Sequence, residues 1–207
     1  MSENIKKLGI TETIGEGFGI GIKNIGPIAV NFLLWLVTFW IPYINVGTTI
    51  GLSAGIIIKL SKGEKISHTE IFDPSYRKYM GEFFLVIGLV CLGWSIGTLF
   101  FVIPGIIICI AWYFAPMLII DKGKNSIKAI ALSDKITYGN KWRIFWIVTI
   151  PVLIFTVVQT LLALFGLHIG WYGRPFINII IFISLVVEVI LILGITASMY
   201  KQLAENA

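Results

Sequence analysis

"FFLVIGLVCLGWSIGTLFFVIPGIIICIAWYFAPMLII", residues 83–120, contains no aspartate, glutamate, lysine or arginine. As one α-helix it would extend about 57 Å at 1.5 Å per residue, well past the roughly 30 Å hydrocarbon core of a bilayer. The stretch must turn, and "FVIPGI" supplies the place, because Pro104 has no amide donor and Gly105 bends without a side-chain clash. Two membrane crossings fit where one does not.

The same reading extends outward. Ile25–Ile58 is uncharged and long enough for two spans, with Pro42 and Asn45 in "WIPYINVG" near its middle. Ile144–Leu167 is another uncharged run, continuing through His168 to Tyr172, and Pro175–Tyr200 is interrupted by Glu188 alone. The expected fold is all-α: an integral membrane bundle of about six transmembrane helices in three hairpins. They fall near 26–42, 44–60, 83–103, 104–120, 144–167 and 176–199 of a single transmembrane domain, 1–207. "VGTTIGLSAGIIIKL", in the second helix, is short and rich in small residues. It reads either as a half-inserted segment or as a span packed closely through those residues.

Composition agrees. Hydrophobic residues make up 57% of the chain and charged residues 13%, against about a quarter charged in soluble proteins, and the mean hydropathy is +0.91. The start, "MSENIKKLGITETIGEGFGIG", lacks the apolar core and cleavage site of a secretory signal, so the mature chain is expected to begin at Met1. Cys91 and Cys109 form no metal or disulfide pattern and are expected to be small buried hydrophobes.

Basic residues set the orientation. With six spans, fifteen of the 16 lysines and arginines fall on one side and Arg174 alone on the other. The positive-inside rule then gives cytoplasmic N and C termini. Trp40 and Tyr43 outside, Trp142 and Trp146 inside, and Trp171 and Tyr172 outside would form the aromatic belts. The pI near 9.2 follows from this topology, so no nucleic-acid partner is called for. The basic loops should instead attract anionic lipid headgroups, with Lys122, Lys124, Lys141 and Arg143 as the candidate contacts.

Three segments lie outside the spans. In 1–24, Ile10, Ile14, Phe18 and Ile22 recur every four residues, which predicts a short amphipathic helix on the inner interface. Its run Gly15, Gly17, Gly19, Gly21 has no Gly-Lys-Ser/Thr behind it, so it reads as glycine that lets the segment lie flat on the membrane or on another helix. In 121–143, "KNSIKAIALSDKITYGNKW" predicts a second interfacial helix, capped by Asn125 or Ser126 and stopped at Gly139. Segment 61–82 carries mixed charge, and its His68 has no partner at metal-ligand spacing.

Residues 59–148 resemble a large group of uncharacterised bacterial integral membrane proteins. The resemblance is carried by "LSKGEKISHTEIFD", "GWSIGTLFFVIPGIIICIAWYFAPMLIID" and "SIKAIALSDKITYGNKWRIF", and it rests on Gly63, Glu64, Phe72, Ile103, Pro104, Gly105, Ala115, Pro116, Asp121, Ser133, Gly139, Asn140, Lys141 and Phe145. The pattern is also similar to the membrane domain accompanying some glycerophosphodiester phosphodiesterases. What it implies is a helical bundle in a bacterial plasma membrane; with no phosphodiesterase domain in this chain, it implies no hydrolysis.

Paired intramembrane aspartates, a Ser/His pair and His-Glu-x-x-His are all lacking from the spans, which argues against an enzyme, a metal or a cofactor. Asp121 and Asp134 read as a helix cap and a solvated face. Glu188 is the exception. At the midpoint of 176–199 an ionised carboxylate is costly and the neutral form is favoured. At 100° per residue Ser184, Asn178, Thr196 and Ser198 share its half of the helix. Gln159, with Thr156 and Thr160, lies at similar depth on the preceding span, and Asn31 and Thr38 are available on the first. The reading that follows is a non-enzymatic accessory or scaffold that binds lipid, a partner membrane protein or further copies of itself as a homo-oligomer. The alternative is a small ion or solute channel or transporter that uses Glu188.

Overall fold

A computed structural model describes residues 7–168 and 173–204; Met1, the expected start, and Trp171 and Tyr172, expected in an outer aromatic belt, lie outside them. In chain order the helices are α1 (Ile10–Lys23), α2 (Ile25–Thr38), α3 (Pro42–Ser61, with a π-wound turn at Gly51–Gly55), α4 (Met80–Phe100), α5 (Val102–Ala111), α6 (Ala115–Lys122), α7 (Ser126–Thr137), α8 (Lys141–His168) and α9 (Arg174–Ala204). Five stretches are long and apolar enough to cross a membrane, and the α1–α2 pair, bent by 78°, would make a sixth. The chain is an all-α, multi-pass membrane bundle.

The turn in the opening stretch falls at Phe101, whose φ of −168° and ψ of 153° are extended. Pro104 then lies in the first turn of α5, where an amide donor would have had no helical acceptor. Gly105 lets α5 close on α4, since a Cβ there would stand 3.1 Å from the Trp94 carbonyl. The expected single helix over 104–120 is instead broken between Ala111 and Ala115. Pro116, in the first turn of α6, cannot donate to the carbonyl one turn back, so the helix restarts. Side chains of α7 satisfy the groups so freed: Ser133 Oγ donates to the Ala111 carbonyl at 2.7 Å and accepts from the Phe114 amide at 3.2 Å.

Two kinds of packing follow. Around α6 and α7 lies a close-packed core that includes Phe114, Leu118, Ile119, Ala129, Ala197 and Met199, all fully buried. Away from it the α4–α5 and α8–α9 hairpins stand with apolar side chains exposed: only 17% of the apolar window of Pro74–Phe100 and 11% of that of Lys141–His168 is buried. Such surface needs lipid or another protein to cover it. Most of the basic residues lie at this core, Arg174 at the start of α9 excepted, and we call it the basic layer.

The first hairpin is built differently from the other two. The corresponding window of α3 is 67% buried, and what covers the helix is the segment between α3 and α4 together with α2 and α9. Arg77 lies against Gly47, Ile71 against Gly51 and Tyr76 against Gly55. The Arg77 guanidinium also sits 5.6 Å from the centre of the Tyr43 ring. The start of α3 is therefore beside the start of α4. The other end of α4, 21 residues on, is about 30 Å away. Asn31, midway along α2, agrees: fully buried, it accepts from the Ile71 amide at 3.0 Å and donates to the Ser67 carbonyl at 2.7 Å. α3 is thus closely packed through Gly47, Gly51 and Gly55, as one of its two readings expects, with its start beside that of α4, as the other does.

α1 runs antiparallel to the last half of α9. Thr13, Gly17 and Gly21 are its buried face, while Phe18 and Ile22, on the apolar line expected to hold it down, are about half exposed. Gly17 packs on Ile195, Gly21 on Ile190, and Gly194 of α9 receives the backbone of Gly17 and Gly21. This is the close approach that small residues four apart permit.

Candidate functional site

The α8–α9 seam is lined on α9 by Ile177, Ile181, Ser184 and Glu188 and on α8 by Phe155, Gln159, Leu162 and Gly166, the positions that each helix withdraws from the surface. Gln159 Nε2 donates to Glu188 Oε2 at 2.9 Å. The sequence spacing thus brings the expected pair together, and both residues remain half-buried. Ser184 lies one turn away on the same line. Asn178 does not: it is exposed on another face of α9. Thr156 and Thr160 flank the seam and return their hydroxyls to Val152 and Thr156 carbonyls at 2.8 and 2.7 Å. Glu188 also marks a boundary, since α9 is buried in the basic layer from Ile190 onward and largely exposed before Glu188.

The other polar residues proposed near Glu188 are engaged elsewhere. Asn31 serves the α3–α4 connection, Thr38 pairs with Thr48 at 3.1 Å, Thr196 meets the Tyr113 hydroxyl at 3.0 Å, and Ser198 donates to Glu16 at 2.9 Å. Helical angle alone could not show this, because it ignores which neighbour each face meets.

At the basic end, α3, α6 and α9 converge on Asp121. One carboxylate oxygen takes the Lys62 ammonium and the other accepts from Tyr200 at 2.8 Å, so Asp121 joins three elements and does more than cap its own helix. Lys122 donates to the Ala204 carbonyl at 3.3 Å. Glu70, 5% exposed, is held by Lys59 at 2.7 Å and by Tyr76 at 2.8 Å. Burial first, and then the Glu70 carboxylate, push the Tyr76 phenol far above its ordinary value, so it stays a donor. Glu82 accepts from the Ser126 amide at 2.7 Å and so fastens α4 to the start of α7. Glu70 and Glu82 were missed in the sequence because both stand in runs that read as solvated.

The candidate headgroup residues divide. Lys124 is exposed; Lys141 pairs with Asp134 at 2.7 Å; Arg143 donates to the Leu8 carbonyl; Lys122 is tied down as described. Gly139, with φ of 78°, makes the turn from α7 into α8, and Asn140, 1% exposed, accepts from the Leu8 amide at 2.9 Å. Asn125 Oδ1 accepts from Lys128 N at 3.0 Å, so of the two cap candidates it is the one that closes the start of α7. Next to these, α7 and the start of α8 present Ile127, Lys128, Lys135, Tyr138 and Trp142 outward. Apolar, basic and interfacial aromatic groups thus share one face. Cys91 is exposed on α4, against the expectation of a buried role, while Cys109 is half-buried. Among the described residues no cluster of three or more His, Cys, Asp or Glu could hold a metal.

Comparison of the chain with protein-family profiles, with curated proteins and with solved structures finds no match.

Proposed function

We propose that this chain is a non-enzymatic accessory or scaffold of the bacterial plasma membrane, with its basic layer on the cytoplasmic side, where it binds anionic lipid or a partner membrane protein. The observation that carries the reading is the outward face of α7 and the start of α8. Ile127 is 75% exposed and Trp142 56%, beside exposed Lys124, Lys128 and Lys135, an arrangement suited to a negatively charged membrane surface and poorly suited to water alone. The Glu188–Gln159 contact supports it, because a carboxyl bonded to an amide within a hairpin acts as a packing contact. The bacterial placement rests on the resemblance of residues 59–148, and the side on the positive-inside rule. Affinity isolation in native lipid tests the proposal. Retention of anionic lipid or of a defined membrane partner is expected; a lone monomer free of both would refute it.

A second reading, a small ion or solute channel or transporter, draws on the partial exposure of Glu188, Gln159 and Ser184 along one seam. Intramembrane carboxyls mark proton and ion paths in many transporters. Liposome flux that Glu188→Gln abolishes would favour this reading over the first.

A further inference from the structure

We infer that the seam between α5 and α8, at the edge of the basic layer, is a binding site for one anionic phospholipid. The inference rests on the lipid-holding reading above and gives it an address.

Two neighbouring hollows open on this seam. One is a groove of about 470 Å³ lined by Ile107, Tyr138, Gly139, Lys141, Trp142 and Arg143. Its size lies within the ~300–1,000 Å³ usual for ligand sites. The other is a mainly apolar cleft of about 190 Å³ between the same two helices, lined by Ile106, Cys109 and Ile110 on α5 and by Ile144, Phe145, Val148 and Thr149 on α8, with Trp94 of α4 and Tyr113 alongside. Ile106 and Ile107 are adjacent on α5, as are Arg143 and Ile144 on α8, so the hollows are neighbours on the seam.

The chemistry is graded in the same order. At the groove, Lys141 has three N–H donors and gives one to Asp134, and Arg143 has five and gives one to the Leu8 carbonyl. Among the described residues, with Asp134 counted, the rim keeps one net positive charge. Exposed Lys135, near the end of α7, adds to it. Tyr138 and Trp142, 66% and 56% exposed, have the amphipathic rings that settle at headgroup depth. The neighbouring cleft is mainly hydrocarbon, with the Thr149 hydroxyl and the Tyr113 phenol, the latter engaged by Thr196, as its polar groups. A phosphate diester at the groove with one acyl chain in the cleft satisfies both, which neither a soluble anion nor a neutral lipid does. The hollows also lie where the two exposed hairpins part, so a lipid can enter from the side.

The test uses the full chain, purified in detergent, with phosphatidylglycerol brominated on its acyl chains. Saturable quenching of tryptophan fluorescence is expected, reduced in Trp142→Phe. Lys141→Gln and Arg143→Gln should each weaken it about fivefold, and Val148→Phe should weaken it by filling the cleft. Lys65→Gln, in the exposed segment between α3 and α4, should leave it unchanged. Brominated phosphatidylcholine should need a several-fold higher concentration, and glycerol phosphate should not compete. Equal binding of phosphatidylcholine, or competition by glycerol phosphate, would overturn the assignment. Unchanged quenching in all the groove and cleft variants would remove this site while leaving the lipid-holding reading intact; no quenching, together with no lipid retained on native isolation, would remove both.

Discussion

Alanine at Gly17 or Gly21 and alanine at Gly15 or Gly19 should have opposite effects, although all four glycines lie in one helix. A Cβ at Gly17 would stand 2.7 Å from the Ile195 amide nitrogen, and one at Gly21 2.9 Å from the Ile190 carbonyl oxygen. Both neighbours are backbone and cannot rotate away. The remedy is to move α1 off α9 by several tenths of an ångström, at a cost of about 1–3 kcal/mol for each substitution. At Gly15 and Gly19 nothing lies within 4 Å, and replacing an interior helical glycine by alanine should stabilise by about 0.5–1 kcal/mol. Unfolding in mixed micelles with increasing SDS would measure both signs. Four substitutions of like sign, or a neutral Gly17→Ala, would refute the close packing of α1 on α9.

Asn31→Leu should destabilise by about 1–3 kcal/mol, because the buried Ile71 amide loses its acceptor, and should make the 64–79 connection more sensitive to protease. The Gln159–Glu188 contact should show a coupling of about 0.6 kcal/mol, and at most ~1.7, in a double-mutant cycle with Gln159→Leu and Glu188→Leu. Lys201, 2.9 Å away, is the main cause holding the Glu16 carboxyl below its ordinary value, with Ser198 and Gln202 assisting and burial opposing. A depressed carboxyl stabilises the fold above its unfolded-state value, and that stabilisation is lost as pH falls through the folded-state value. The difference in melting temperature between wild type and Glu16→Gln should therefore persist from neutrality down to the usual glutamate range and vanish below it.

The sequence shows fold class well because hydrocarbon length is a strict ruler. Residues 83–120 are too long for one crossing, and the observed turn at Phe101 lies within a few residues of the expected one. It shows less of what decides a broken helix: the restart at Ala115 needs Ser133 to take up the freed backbone groups, and that contact spans 22 residues. The Glu188–Gln159 pair was legible because both residues are isolated polar groups at equal depth in one hairpin. Asp121 was half legible. Its place at the end of a helix could be read, but its union with Lys62 and Tyr200 depends on where three helices end. Length and apolarity were no guide to how α3 differs from α4, since what separates them is what packs along each: the charged segment and α9 cover α3 and leave α4 largely bare.

The α2–α3 turn lies beside the start of α4, at the basic layer and about 30 Å from the far end of α4. Cysteines introduced at Tyr43 and at Leu99 in a chain lacking Cys91 and Cys109, probed in intact cells with a membrane-impermeant maleimide, test this most directly. Leu99, 85% exposed near the far end of α4, should label from outside, and Tyr43, held beside Arg77, should label only after the cells are opened. Labelling of Tyr43→Cys in intact cells at the rate of Leu99→Cys would contradict the account.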